Sequence, residues 1–202
     1  KTRKNSPESE EAVNAILLTK AGFIMKLSAG IYSFLPLGLR VLQRIADIVR
    51  DEIKAIGGEE ILMPALQPKS NWMQTGRFEN YDTLFRFISH YTKTEYVLGP
   101  THEEVVSPLA KQIIFSYQDL PKYVFQIQTK FRDEKRAKSG LLRGREFLMK
   151  DLYSFHKDDA DLDRYYAVAQ GAYRKIFNRV GIGADTVLTF ASGGTFSKYS
   201  HE

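Results

Sequence analysis

Near the middle of the chain the sequence reads Phe131-Arg132-Asp133-Glu134, then a basic stretch at residues 135–140, then Arg143-Gly144-Arg145-Glu146-Phe147. Between residues 123 and 134, mainly apolar side chains at the odd positions alternate with polar side chains at the even positions from 126 onward. Side chains on a strand point alternately to its two faces, so this alternation predicts a strand with one apolar face and one polar, charged face. A second strand after the basic stretch would complete a hairpin.

The polar face of this hairpin carries the side-chain types that bind a nucleoside triphosphate. The guanidinium group of arginine can donate two parallel hydrogen bonds to phosphate oxygens, and it stays positively charged across the physiological pH range. Arg132 and Arg143 lie where the two strands meet the connecting loop, and there they would bind different phosphates. Phe147 would stack on a flat purine, and Glu134 would accept a hydrogen bond from an exocyclic amine. These four residues predict an ATP-binding site.

A purely structural hairpin is the alternative. In that case the arginines would pair with acidic neighbours on a solvated surface, namely Asp133, Glu134 and Glu146. The residues taken singly leave both interpretations open. The long connection between the strands favours binding, because a structural hairpin prefers a short loop.

The same residues resemble a known family. The pattern Phe-Arg-x-Glu, a loop, and Arg-x-Arg-Glu-Phe is that of motif 2 in class II aminoacyl-tRNA synthetases. Two further runs are similar to the bacterial-type prolyl-tRNA synthetases: Phe-Leu-Met-Lys-Asp-Leu-Tyr-Ser-Phe-His at residues 147–156, and Leu-Gly-Pro-Thr-His-Glu-Glu at residues 98–104. The similarity extends from about Ala21 to the last residues of the sequence.

The resemblance implies the fold class and the domain organisation. The fold is expected to be α+β, with a mostly antiparallel sheet flanked by helices, as in the class II aminoacyl-tRNA synthetase core. Residues 1–10 are expected to be a flexible lead-in, and residues 11–202 a partial catalytic domain that carries motifs 1 and 2. Motif 3, the editing insertion and the anticodon-binding domain are expected to lie outside this sequence, and the fragment alone is expected to activate proline poorly.

A long amphipathic helix is predicted over Leu37–Ile56 from apolar residues at helical spacing. These residues are Leu42, Ile45, Val49, Ile53 and Ile56. Gly57-Gly58 would end the helix, and a short strand over Glu59–Met63 would end at Pro64. The layout resembles motif 1, which implies a homodimer through the region Leu37–Pro64. Periodicity alone allows the alternative, a helix–strand unit packed within one core.

The corner Thr101-His102-Glu103-Glu104 follows a Gly-Pro pair. As a capping box, Thr101 would cap a helix and Glu104 would reach back to the Thr101 amide. This interpretation leaves Glu103 unexplained and places His102 on an exposed side of the helix. In the resembled family the matching Thr-x-Glu contacts bound proline. The resemblance therefore implies that Glu103 neutralises the secondary ammonium and that Thr101 accepts a hydrogen bond from it.

The outgoing strand is expected to supply the wall of the amino-acid pocket. Met149, Asp151 and Tyr153 share the parity of Phe147, so they would line the same face further in. Met149 and Tyr153 suit a small apolar ring, and Asp151 offers a second charge. By resemblance, Arg132 completes the proline-binding set.

Three neighbouring features are predicted without a substrate contact. His156 lies just beyond the pocket wall and is expected to be structural. Residues 68–81 are expected to form a loop over the site, in which Arg77 has no assigned role. Gly193-Gly194 predicts a loop or tight turn in the C-terminal tail.

The resemblance implies an enzyme, a proline–tRNA ligase that activates proline with ATP to prolyl-adenylate and transfers it to tRNA(Pro). Arg132 would be catalytic, binding the α-phosphate and orienting the attacking carboxylate, and Arg143 would hold the γ-phosphate. Such catalysis consists mainly of positioning and charge stabilisation. Mg²⁺ would bridge the phosphates, and no residue of the chain is assigned as a metal ligand. The expected location is the cytoplasm.

Composition narrows the function classes. The 202 residues have a formal net charge of +5, which permits RNA or nucleotide binding without requiring it. The chain has no cysteine, so disulfides and thiolate catalysis are excluded and a structural zinc site is disfavoured. No apolar run is long enough to cross a bilayer, and no membrane partner is expected.

Three rival interpretations remain. A synthetase of the same subclass, for threonine, serine, glycine or histidine, would share motifs 1 and 2, but the Thr101–Glu103 corner and the Met149–Tyr153 strand favour proline. A non-catalytic synthetase-like paralogue would often lose the phosphate-binding arginines, which are present here. A generic basic RNA-binding domain fits the net charge and leaves the hairpin unexplained.

Overall fold

The structure is a computed structural model that describes residue 2 and residues 10–137, 139–193 and 200–202. The predicted lead-in over residues 1–10 therefore lies outside the described residues, except for Thr2 and Glu10. Lys138 of the basic stretch and Gly194 of the predicted turn also lie outside them.

Helices and strands are interspersed along the described residues. The helices are α1 (Val13–Lys20), α2 (Pro36–Ala55), α3 (Lys69–Gln74), α4 (Arg77–Asn80), α5 (Glu103–Ile113) and α6 (Asp159–Val180). The strands are β1 (Ile24–Ser28), β2 (Ile31–Phe34), β3 (Glu59–Glu60), β4 (Leu66–Pro68), β5 (Phe85–Ile88), β6 (Glu95–Leu98), β7 (Lys122–Phe131), β8 (Glu146–Phe155), β9 (Phe190–Ala191) and β10 (Ser200–His201). None of these described helices has the length and apolar character needed to cross a membrane.

The predicted hairpin is the antiparallel pair β7–β8. Its register runs from Lys122 opposite Phe155 to Phe131 opposite Glu146, and β3 joins the other edge of β7 in parallel. A second sheet has the antiparallel order β4–β6–β5, and β1–β2 and β9–β10 form two-stranded ribbons. Mostly antiparallel sheets accompanied by helices confirm the α+β expectation.

One face of the hairpin is buried against two helices. Phe125 of β7 is fully buried and forms a core cluster with Ile53 of α2 and Ile176 of α6. Leu152, which pairs with Phe125 across the hairpin, packs against the same cluster. Because residues of this parity face the helices, those of the other parity must face the opposite side.

Helix α2 confirms most of the prediction for this segment. It begins at Pro36, where the missing N–H leaves no hydrogen bond unmade, and it is followed by Gly57 at φ +88°, a conformation that favours glycine. Within the predicted apolar stripe Ile53 is fully buried and Ile45 is 41% exposed, while Ile48, which was not assigned to the stripe, is buried. The reason is that α2 meets the hairpin core mainly through its C-terminal half, around Ile53.

The strand predicted over Glu59–Met63 pairs with β7 over Glu59–Glu60 only. Further along this segment, side chains of β7 make the hydrogen bonds that backbone groups would make in a continued strand pair. The Met63 N–H donates to Gln126 Oε1 at 3.0 Å, and Gln128 Nε2 donates to the Met63 carbonyl. Two glutamine amides thus hold the segment that leads from β3 to Pro64.

The expectation of a loop over residues 68–81 is wrong, because the segment folds into α3 and α4. Trp72 explains the difference: it is fully buried in a cluster with Phe78, Leu84 and Val97. The Trp72 indole N–H also donates to Gln67 Oε1 at 2.8 Å. A large buried aromatic with a satisfied polar group fixes both short helices to the second sheet.

Candidate active site

The register of β7–β8 gathers the predicted site residues on the face opposite the helices. Lys130 pairs with Phe147, Gln128 with Met149 and Gln126 with Asp151. Val124 and Tyr153 form the next pair of the same parity. The predicted order of Phe147, Met149, Asp151 and Tyr153 along one face therefore agrees with the register.

Arg132 lies at the open end of this face. Its guanidinium carbon is 5.3 Å from the centre of the Phe147 ring, a cation–π distance. Its Nη2 is 3.5 Å from the Pro100 carbonyl, and its buried Nε has no hydrogen-bond partner among the described residues. A buried donor without a partner is costly unless a ligand supplies the acceptor. The geometry fits a bound anion in front of Arg132.

Arg143 and Glu134, two of the predicted ATP-binding residues, contact each other. Arg143 Nε lies 2.9 Å from Glu134 Oε2, so this arginine adopts the pairing that the structural alternative proposed. The Arg143 side chain is 65% exposed and that of Glu134 only 11%. The exposed guanidinium can turn toward a phosphate, whereas the buried Glu134 carboxylate needs another hydrogen-bond donor once Arg143 leaves it.

The predicted capping box at Thr101 and Glu104 is wrong. Helix α5 begins at Glu103, and its N-cap residue, His102, makes no side-chain capping bond. The Thr101 hydroxyl donates to Glu103 Oε2, which brings the two predicted proline-binding side chains together. Glu104 instead points away, toward α3 and α4.

Arg77 is the reason that Glu104 does not cap the helix. Arg77 Nη1 donates to Glu104 Oε1 at 2.9 Å, and the Thr75 hydroxyl donates to the same oxygen at 3.1 Å. The Glu104 side chain is fully buried, so it requires this charged partner. No role for Arg77 was predicted, because the contact depends on helices α3 and α4, which were expected to be a loop.

The backbone of the corner is held by three further side chains. Gln67 Nε2 donates to the Thr101 carbonyl at 3.0 Å, and Asn71 Nδ2 donates to the Glu104 carbonyl at 2.9 Å. The His102 N–H donates to the Tyr153 hydroxyl at 3.1 Å. The corner is therefore fixed to the second sheet, to α3 and to the hairpin before any substrate binds.

Asp151 is the centre of a buried polar network on the hairpin face. Its Oδ2 accepts hydrogen bonds from Lys130 Nζ at 3.0 Å, Gln126 Nε2 at 2.9 Å and the Tyr153 hydroxyl at 2.9 Å. The Lys130 side chain is fully buried and that of Asp151 is 9% exposed. The charge that Asp151 was expected to offer a substrate is thus compensated by Lys130, a residue for which no role was predicted.

His102 was expected to be exposed, and this expectation is wrong, because it is fully buried. Lys130 donates to Nδ1, so Nε2 carries the hydrogen and donates to the Pro64 carbonyl at 3.1 Å. Burial, followed by the charge of Lys130, lowers the pKa of His102 to about 4. A neutral imidazole therefore links the corner to the buried network.

Tyr153 joins the same network as a protonated hydroxyl. Burial raises its pKa, and the negative charges of Glu103 and Asp151 raise it further. The hydroxyl donates to Asp151 and accepts from the His102 N–H. These two hydrogen bonds hold its ring in one orientation.

His156 has the structural surroundings that were expected for it. Its Nδ1 is 2.8 Å from Asp161 Oδ2, at the start of α6. Its ring centre is 5.7 Å from those of Tyr123 and Tyr165. These contacts give His156 a structural role between β7, β8 and α6.

No cluster of three or more metal-binding side chains is found among the described residues. A magnesium ion that enters with ATP needs no such cluster, because phosphate oxygens and water supply most of its ligands.

The buried imidazole predicts a pH dependence of stability. Between pH 6.5 and about 4 the unfolded chain binds a proton at residue 102 that the folded protein does not, so the free energy of unfolding should fall as the pH drops through this window, by up to about 3 kcal/mol. In His102→Asn, Oδ1 can accept from Lys130 in place of Nδ1 and does not titrate. Urea denaturation at several pH values should show a shallower fall for this variant than for the wild type.

The exposed His90 supplies the control for this measurement. His90→Asn should retain the wild-type pH dependence. If His102→Asn loses stability between pH 6.5 and 4 as steeply as the wild type does, the lowered pKa assigned to His102 is wrong.

A family model covers the part of the chain that holds this site. The model is the tRNA synthetase class II core domain (G, H, P, S and T), and it matches residues 85–202. The matched residues include the corner and the whole β7–β8 hairpin.

Curated relatives match the chain along its whole length. It is 48% identical over 201 residues to the proline–tRNA ligase of Staphylococcus haemolyticus and 46% identical over 202 residues to that of Vesicomyosocius okutanii. These matches cover 100% of this chain and 35% and 36% of the two relatives. The chain thus spans about a third of the length of the relatives it matches.

Solved structures resemble the fold. The Giardia lamblia prolyl-tRNA synthetase in complex with prolyl-adenylate superposes with a TM-score of 0.75 at 21% identity, over 81% of this chain and 34% of that one. The Cryptosporidium parvum prolyl-tRNA synthetase complexed with L-proline and AMP gives a TM-score of 0.70 at 18% identity, over 80% and 32%. Since the family model matches more than half of its residues, the chain belongs to the class II tRNA synthetase core domain family (G, H, P, S and T).

Proposed function

We propose that the full-length protein containing this chain is a proline–tRNA ligase of the cytoplasm. It activates proline with ATP to prolyl-adenylate and then transfers the prolyl group to tRNA(Pro). The observation that carries the proposal is the placement of Arg132, Phe147 and the Thr101–Glu103 pair around one face of the hairpin. The similarity to curated proline–tRNA ligases along the whole chain supports it.

Arg132 is the residue on which the activation step depends. The α-phosphate of ATP accepts from its guanidinium, including the Nε that has no partner among the described residues. The proline carboxylate attacks that phosphorus and pyrophosphate leaves, so negative charge shifts toward the groups that Arg132 contacts. A fixed guanidinium stabilises this charge without reorganisation.

The adenine and the outer phosphates occupy the end of the hairpin. Phe147 stacks on the purine, and Glu134 accepts from its amino group. Arg143 exchanges its pairing with Glu134 for the γ-phosphate, and the adenine amino group replaces Arg143 as the donor to the buried Glu134 carboxylate. Mg²⁺ enters as part of the ATP complex, and no step is assigned to a protein-held metal.

Proline binds between the corner and the outgoing strand. Its secondary ammonium meets Glu103 and the Thr101 hydroxyl, which already contact each other. Its ring lies against Met149 and Tyr153. Since Lys130 compensates Asp151, Asp151 acts by holding Tyr153, and Glu103 is the carboxylate that recognises the ammonium.

The test of this function is amino-acid-dependent ATP–pyrophosphate exchange by the full-length protein, across the twenty amino acids. Exchange with proline, alone or with weak exchange by alanine, supports the proposal. Exchange with another amino acid of the subclass assigns a different synthetase. A folded protein without any exchange is a non-catalytic paralogue.

Replacement of Arg132 tests the activation step. Arg132→Ala should lower the rate of proline-dependent exchange by about 10²–10³-fold, because a charge-stabilising donor is removed. Arg132→Lys keeps the charge and loses the fork, so its rate should fall between those of Arg132→Ala and the wild type. If the exchange rate of Arg132→Ala stays within about twofold of the wild-type rate, Arg132 does not have this role, because the expected loss is far larger.

Replacement of Glu103 separates recognition of proline from helix formation. Glu103→Ala should raise the KM for proline by about tenfold or more and leave the KM for ATP nearly unchanged, because a charge-assisted contact is lost. The isosteric Glu103→Gln should retain the fold and, like Glu103→Ala, should raise the KM for proline but not the KM for ATP. Equal increases in both KM values would assign Glu103 to the start of α5 instead.

We also propose a homodimer through the region Leu37–Pro64. Leu37, Val41 and Ile45, spaced four residues apart on one side of α2, are each 41–42% exposed, which leaves an apolar face without cover among the described residues. Light scattering should give twice the chain mass for the full-length protein and a lower mass for Val41→Asp. Val168→Asp, at a 47% exposed position of α6, should remain dimeric, and a dimeric Val41→Asp would contradict the interface.

A further inference from the structure

We propose that Asn14 is a positioning residue for the ATP site, because helix α1 fastens the connection between β7 and β8 through it. This connection, described over residues 132–137 and 139–145, is called the hairpin loop below. Its role in positioning ATP rests on the proposed function, whereas the fastening itself rests on the geometry alone.

The Asn14 side chain binds the hairpin loop as a peptide group would. Its Nδ2 donates to the Ser139 carbonyl at 2.9 Å, and its Oδ1 accepts from the Leu141 N–H at 3.2 Å. One amide thus satisfies one donor and one acceptor of a loop backbone that lies 125 residues further along the chain.

The loop backbone is shaped for this contact. Ser139 and Gly140 both have positive φ, +62° and +61°, a conformation that Gly140 adopts at no steric cost. A Cβ at position 140 would lie 2.1 Å from Asn14 Oδ1 and 2.9 Å from the Cβ of Ala15. Ala15 is fully buried. Only glycine lets helix α1 approach the loop this closely.

The turn between β1 and β2 fastens the far end of the same loop. The Arg145 N–H donates to the Gly30 carbonyl at 2.7 Å, and Arg145 Nη1 donates to the Ala29 carbonyl at 3.2 Å. Arg145 Nε and Nη2 also donate to the Glu134 carbonyl. Arg145 therefore braces the loop and is not a phosphate ligand.

Fastening the loop fixes the groups proposed to bind ATP. Arg143 ends the short 3₁₀ turn Gly140–Arg143, which begins between the two residues that Asn14 binds, Ser139 and Leu141. Glu134, the partner of Arg143, is held through its carbonyl by Arg145. Without Asn14 the turn would lose its anchor, and Arg143 would sample positions away from the γ-phosphate.

Limited proteolysis measures the fastening without any substrate. Lys135 and Arg136 are exposed trypsin sites in the loop, and cleavage there requires local opening. In the full-length protein, Asn14→Ala should increase the rate of cleavage after these residues about five- to tenfold, as expected from the loss of two hydrogen bonds. Alanine is a better helix former than asparagine, so a loss of helix α1 would not explain the increase.

A second variant breaks the contact from the other side. Gly140→Ala places its methyl group against Asn14 and should increase cleavage to a similar extent. Gly181→Ala is the matched control, since Gly181 has φ +89° but nothing within 4 Å of its added Cβ. It carries comparable backbone strain and should leave loop cleavage at the wild-type rate, as should Val13→Ala at a 70% exposed position of α1.

Calorimetric titration with ATP in the absence of proline tests the link to the site. The dissociation constant for ATP should rise about three- to tenfold in Asn14→Ala, with the affinity for proline unchanged. Wild-type cleavage rates in both loop variants would overturn the fastening. Faster cleavage with unchanged ATP affinity would overturn the positioning role. Failure of the wild type in pyrophosphate exchange would refute the proposed function separately, because neither measurement here requires catalysis.

Discussion

Ten residue pairs, from Lys122 with Phe155 to Phe131 with Glu146, hold β7 against β8. Side chains alternate between the two faces of a strand, so a shift of one residue would exchange the core face for the site face. In the observed register Phe125 packs onto α2 and α6 while Asp151 faces the corner. The same set of hydrogen bonds therefore determines both the core and the arrangement of the candidate site. Burial of the apolar face stabilises the register that the polar face needs.

The polar face is assembled around a buried charge. Fully buried Lys130 requires Asp151 as its counter-ion, and the pair draws Tyr153 and His102 into fixed positions. Removing one partner of such a pair leaves an uncompensated charge, which is far more destabilising than the pair is stabilising. The network therefore contributes orientation more than stability, and it separates the compensated carboxylate of Asp151 from the carboxylate of Glu103, the one proposed to recognise the substrate.

The hairpin, helix α2 and the shared face of Met149, Asp151 and Tyr153 could be predicted from local sequence patterns. A period of two or 3.6 residues can be recognised from residues that are close together in the sequence. Several of the errors involve contacts between distant parts of the chain. Glu104 has the spacing of a capping box, but Arg77 competes for it from α4. Burial of His102 depends on Lys130, 28 residues away, and the brief ladder of β3 depends on glutamine side chains of β7. No local signal in the sequence reports such pairings.

The chain holds a single tryptophan, Trp72, and its position in helix α3 against the second sheet gives it a use beyond packing. Trp72 donates to Gln67, and Gln67 in turn donates to the carbonyl of Thr101, so two hydrogen bonds separate the indole from the corner. Indole emission responds to changes in polar surroundings. Occupation of the corner by a small ligand would thus have an intrinsic optical reporter in this part of the molecule, free of any attached dye.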